Sequence, residues 1–82
     1  MKYEAEFKPR AIKDLRKIEK ADQKRIITRI TELTNNLSGN VKRLTNFTPE
    51  YRLRVGNYRV LFETEENKII IYRIHHRRNA YR

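Results

Sequence analysis

The stretch between Tyr51 and His76 constrains the fold most, because apolar and polar residues alternate there in three short runs. Tyr51, Leu53 and Val55 alternate with Arg52 and Arg54, and Tyr58, Val60 and Phe62 alternate with Arg59, Leu61 and Glu63. In the last run Ile70, Tyr72 and Ile74 oppose Ile69, Ile71, Arg73 and His75. A period of two marks strands with one buried face, since successive side chains leave opposite sides of the backbone. Gly56-Asn57 separates the first two runs and Glu65-Glu66-Asn67 the last two, connections short enough to make the neighbours antiparallel. The runs predict a three-stranded antiparallel meander over 51–55, 58–63 and 68–76.

Upstream the period changes. Tyr3, Ala5 and Phe7 alternate with Glu4 and Glu6 as a first strand, and Pro9 sits where a helix can begin without its N–H. Ala11, Ile12, Leu15 and Ile18 then recur at helical spacing, with Lys13, Arg16, Lys17 and Lys20 on the other face. After a break around 20–22, Ile26, Ile30, Leu33 and Leu37 form a second apolar stripe, broadened by Ile27, and Gly39 offers a left-handed stop. A loop over 42–50 follows, anchored by Leu44 and Phe47 and punctuated by Pro49. The expected class is α+β: an N-terminal strand, an antiparallel two-helix hairpin and the meander, with the helices on one face of a four-stranded sheet. A chain of 82 residues makes one domain, 1–82, with no room for a second core.

If the aliphatic and aromatic sets of the strands face the helices, Arg52, Arg54 and Arg59 share the helix-free face. One arginine there would be an ordinary solvated residue. Three on adjacent strands with no interleaved acid repel one another, which argues for an anion-binding surface. The whole chain leans the same way: 20 Lys+Arg against 10 Asp+Glu give a formal charge of +10. That excess suits a nucleic acid, and also an anionic membrane surface or an acidic protein.

With no cysteine there is neither a disulfide framework nor a thiolate metal site. His75 and His76 do not make a metal pair, because adjacent strand residues point to opposite faces. No cofactor is expected. No run approaches the roughly 20 apolar residues that span a bilayer, and acids occupy the N-terminus, so the chain reads as cytoplasmic, without a membrane partner.

The run Tyr51-Arg52-Leu53-Arg54-Val55-Gly56-Asn57-Tyr58-Arg59-Val60 resembles the central hairpin signature of the RelE/ParE toxin superfamily, of the type YRxRxGxYR. The ending His75-His76-Arg77-Arg78-Asn79-Ala80-Tyr81 resembles that superfamily's terminal HRRxxY motif, and the element order matches too. The resemblance implies a toxin of a type II toxin–antitoxin module. RelE-like members cut messenger RNA, commonly in the decoding (A) site of the 70S ribosome, and an acidic antitoxin wraps and neutralises them. ParE-like members share the fold but poison DNA gyrase without RNA-cutting residues. The terminal tyrosine and the neighbouring histidine favour the RelE branch, that is, an mRNA interferase.

By position, the resemblance implies catalytic roles for Arg59, His76, Arg77 and Tyr81, and RNA-binding roles for Arg52, Arg54 and Arg78. The Arg77 match can slip to Arg78. Arg52 and Arg54 stand where well-known relatives have lysines, and arginine is a poor base because it keeps its proton to about pH 12. The titrating group expected here is His76, acting as base on the 2′-hydroxyl. Arg59 and Arg77 would hold the phosphate, Arg52 and Arg54 the backbone, and Tyr81 a splayed base. The acid for the leaving oxygen stays unassigned. Two other readings remain, a gyrase-directed toxin and a noncatalytic RNA-binding module.

Overall fold

Residues 3–35, 41–43 and 51–78 are described by the computed structural model. Strand β1 (Glu4–Phe7) leads into helix α1 (Pro9–Arg16), with Pro9 in the first turn as its missing N–H allows. Helix α2 (Lys20–Asn35) follows at once, so the break between the helices falls at 17–19, slightly earlier than expected. The Gln23 side chain stabilises this junction by donating to the Leu15 and Ile18 carbonyls, at 2.9 and 2.8 Å. The Leu15 carbonyl lies in the last turn of α1 and the Ile18 carbonyl in the junction just beyond it, where helical partners run out.

The remaining elements are β2 (Val41–Arg43), β3 (Tyr51–Val55), β4 (Tyr58–Glu65) and β5 (Lys68–His76). The sheet order is β1-β5-β4-β3-β2. The meander β3-β4-β5 is antiparallel as expected, while β1 joins β5 in parallel, so the sheet is mixed. Where a loop was expected to begin, β2 adds a short fifth strand against β3. Three residues with little alternation carry no readable strand period, and pairing with β3 supplies what the sequence does not signal. Gly39, Leu44 and Phe47 lie outside the described residues.

The core is formed by Ala11 of α1 and Ile26, Ile30 and Leu33 of α2 against Leu53, Val55, Val60, Phe62, Ile69, Ile71 and Ile74. Ile12 and Ile27, read as part of the apolar stripes, are instead 40% exposed, because the inward arc is already filled by their neighbours. The larger correction concerns β5. A bulge there leaves Tyr72 unpaired: Leu61 faces Arg73 and Phe62 faces Ile71. One extra residue inverts the alternation, so Ile69 and Ile71 join Ile74 in the core instead of opposing it. Tyr72 is half-buried beneath the Lys8 ammonium, 5.6 Å from its ring centre.

Candidate functional site

The register of the meander decides which side chains share the face away from the core. Arg54 pairs with Arg59, and Arg59 with His75, forming one cross-strand row. The next row is Arg52, Leu61 and Arg73. Directly paired residues project from the same side of a sheet, and the core residues Leu53, Val55 and Val60 occupy the alternate positions. Arg52, Arg54 and Arg59 therefore share the helix-free face, as the alternation predicts.

Arg59 is the centre of this face and is only 8% exposed. Its Nη1 donates to the Gly56 and Tyr58 carbonyls, at 3.1 and 3.0 Å, holding the β3–β4 turn. That turn needs Gly56, whose φ of +57° penalises any residue with a Cβ. The Arg59 Nε is buried without an acceptor. Burial chiefly, then repulsion from Arg54, Arg52 and Arg77, lowers the Arg59 pKa below the ordinary arginine value. Three guanidiniums thus sit close enough to Arg59 to disfavour its charged form, an arrangement that an anion would relieve.

Arg77 joins the cluster because the chain turns at the end of β5: its N–H donates to the Asn57 carbonyl at 2.7 Å. His76 does not stand in the Arg59 row. It pairs with Tyr58, on the other side of the pleat, and meets that ring edge-on at 5.4 Å. The alternation that rules out a His75–His76 metal pair also separates His76 from Arg59 and puts His75 opposite Arg59 instead. The expectation of a single surface carrying both Arg59 and His76 is corrected accordingly. The His76 Nδ1 accepts from the Arg78 N–H at 3.3 Å. The Arg77 and Arg78 side chains are exposed, and Tyr81 lies outside the described residues.

The sequence reading missed Asp14. This residue of α1 takes Arg73 Nε on Oδ2 at 2.8 Å and Arg73 Nη2 on Oδ1 at 3.2 Å, and its Oδ2 also accepts the Ile74 N–H at 3.0 Å. Burial acts to raise the Asp14 carboxyl. Hydrogen bonds from Arg73 and Ile74, with the charges of Arg73 and His75, outweigh burial and hold it below the ordinary aspartate value. The same hydrogen bond raises the Arg73 guanidinium, against its own burial. A signal was available, since Asp14 is the one acid in an otherwise basic α1.

No group of three or more His, Cys, Asp or Glu capable of holding a metal occurs among the described residues. No helix among them is long and apolar enough to cross a membrane.

Proteins that resemble this chain in sequence and in its mixed sheet with two helices are small toxins. Residues 5–81 match the family model for the ParE toxin of type II toxin–antitoxin systems. The toxin RelE3 of Methanocaldococcus jannaschii is 36% identical over 75 residues, covering 85% of each chain. The chain belongs to the RelE/ParE superfamily of toxins from type II toxin–antitoxin systems. Among solved structures, the RelB–RelE antitoxin–toxin complex from Methanococcus jannaschii holds a chain 34% identical, with a TM-score of 0.77 and coverage of 93% of this chain and 94% of that one. The archaeal RelE–RelB complex from Pyrococcus horikoshii OT3 shares the fold at a TM-score of 0.81, with 24% identity and coverage of 98% and 100%.

Proposed function

We propose that this toxin is a metal-independent endoribonuclease that cleaves messenger RNA, in the ribosomal A site, and so halts translation in the cytoplasm. One observation carries the reading: the buried Arg59 is ringed by Arg52, Arg54 and Arg77 on the helix-free face. Such a cluster suits the transition state of phosphodiester cleavage, where negative charge accumulates on a crowded phosphorus. Guanidiniums meet phosphate oxygens in pairs and keep their charge throughout.

In the proposed step the 2′-hydroxyl gives up its proton and its oxygen attacks the adjacent phosphorus. The 5′-oxygen leaves with a proton, yielding a 2′,3′-cyclic phosphate and a 5′-hydroxyl. Arg59 and Arg77 hold the phosphate, Arg52, Arg54 and Arg78 hold the flanking backbone, and Tyr81 stacks on a base. His75, which stands opposite Arg59, is the imidazole placed to exchange the proton, and His76, on the other side of the pleat, is the competing one. An acidic antitoxin wraps the domain and covers the arginine face. The toxin–antitoxin complexes formed by the solved relatives support this partner.

The test is induced expression followed by transcript end mapping. Wild type should arrest growth with cut messages, Arg59→Ala should leave them whole, and single His75→Ala and His76→Ala variants should separate the imidazoles. The family model matched is that of ParE, which favours a second reading as a gyrase-directed toxin. Growth arrest with intact messages and a DNA-damage response would establish that reading. Binding of RNA without either effect would leave a noncatalytic module.

A further inference from the structure

The two halves of β5 are secured in different ways. Strand β1 pairs with β5 only as far as Phe7 opposite Ile71, and the Lys8 N–H donates to the Ile71 carbonyl at 2.9 Å. Beyond Ile71, β5 has β4 on one side and no strand on the other among the described residues. The β4 side is itself interrupted at this point by the Tyr72 bulge. Beyond the bulge β4 is the one strand that holds β5 among the described residues, and the open edge leaves its N–H and C=O groups without a neighbouring strand. Yet this is the segment that delivers His75, His76 and Arg77.

Asp14 occupies the open side. With one carboxylate it takes the Ile74 N–H and both a terminal and the inner nitrogen of Arg73, 59 residues away along the chain. The side chain is 14% exposed and that of Arg73 34%. The contact fixes direction as well as distance, because two parallel guanidinium bonds and one backbone bond converge on a single planar group.

We propose that Asp14 is a positioning residue for the arginine face, clamping the end of β5 so that His75, His76 and Arg77 keep their places relative to Arg59. Its effect on cleavage rests on the ribonuclease reading above, whereas the clamp itself can be measured without it. Asp14 also neutralises Arg73, which stands in the Arg52 row, and so limits the repulsion within the face.

The experiment compares wild type with Asp14→Ala, Asp14→Asn and Arg73→Lys, using Leu33→Ala as a core-destabilised control remote from the face. Two readouts are taken: amide hydrogen exchange over 74–77, and kcat and KM on ribosome-bound message, with affinity for a single-stranded RNA oligonucleotide measured alongside. Asp14→Ala should exchange at 74–77 about tenfold faster and lose about tenfold in kcat with little change in KM, the cost of a misplaced catalytic group. Asp14→Asn keeps an oxygen for the Ile74 N–H and should recover much of both losses. Leu33→Ala should lower stability but leave kcat unchanged below its melting point. Unchanged exchange at 74–77 in Asp14→Ala, or a kcat loss that Leu33→Ala reproduces, would overturn the proposal. If wild type cleaves no RNA the ribonuclease reading fails, and exchange at 74–77 still decides the clamp.

Discussion

On the hairpin β3–β4, Leu53, Val55, Val60 and Phe62 are at most 2% exposed, while Arg52, Arg54 and Arg59 take the alternate positions on the reverse side. The two faces share a backbone but answer to different physics. The inner face gains stability from every buried methylene, at about 25 cal/mol per Å² removed from water. The outer face places like charges on neighbouring strands, which costs stability unless something anionic covers them. A small domain carrying such a cost implies that the outer face is selected for what it binds. The comparison predicts that inner-face substitutions act on folding, and outer-face substitutions on binding.

The largest expected effect is on the inner face. Phe62 is completely buried, so Phe62→Ala should remove about 3–5 kcal/mol of stability. With about 4–8 °C lost per kcal/mol in a domain of this size, the variant's melting temperature should fall by about 12–40 °C. If it melts within a few degrees of wild type, the inner face is not the folding core described here.

At the edge between the faces, Asp14→Ala should cost about 1–3 kcal/mol, because the Ile74 N–H and Arg73 lose a partly buried acceptor. The pH dependence follows from the direction of the Asp14 shift. Its folded pKa is depressed, so its ionised form contributes stability that is fully present above the unfolded value, about 3.9, and is lost as pH falls through the folded one. Urea unfolding of wild type and Asp14→Asn should therefore differ at neutral pH and converge in acid. A gap that persisted in acid would assign the stabilisation to something other than the carboxylate charge.

On the outer face the expected change is in binding. Arg54 is exposed, so Arg54→Ala should shift stability by no more than about 0.5 kcal/mol, with relief of repulsion favouring the variant. The same substitution should reduce the slope of log affinity for single-stranded RNA against log salt by about 0.7, one phosphate contact. An unchanged slope would mean that Arg54 does not face the backbone.

The smallest effect belongs to neither face. Glu66, in the β4–β5 turn, has a φ of +56°, a region where a side chain costs energy. Glu66→Gly should gain about 0.5–1 kcal/mol in chemical denaturation while leaving RNA affinity alone. Altered RNA affinity would show that the far turn communicates with the arginine face.

Much of this contrast was legible in the sequence because period-two alternation reports directly on which face is buried. Residues 51–62 obey it, so the hairpin, its core side and the arginine side could all be read. The rule failed at Tyr72, where the bulge inserted one residue and reversed the sides of Ile69 and Ile71. Nothing local marks that insertion, since isoleucines and a tyrosine suit either side of a buried strand. His76 was misplaced for a related reason. Motif position identifies a histidine but does not say which side of the pleat it leaves, and the register answered that with His75 opposite Arg59. Asp14 escaped notice because its partners, Arg73 and Ile74, are distant in sequence, and only the early end of β1 opens the edge it fills.

The proposed reaction is cleavage of RNA at the arginine face by attack of the RNA's own 2′-hydroxyl. It is tested most directly by incubating purified protein with ribosomes halted on a defined message and mapping both ends at each break. Breaks should end in a 2′,3′-cyclic phosphate and begin with a 5′-hydroxyl, be insensitive to chelators and be absent with Arg59→Ala. Intact message with wild type, or breaks that persist with Arg59→Ala, would contradict it.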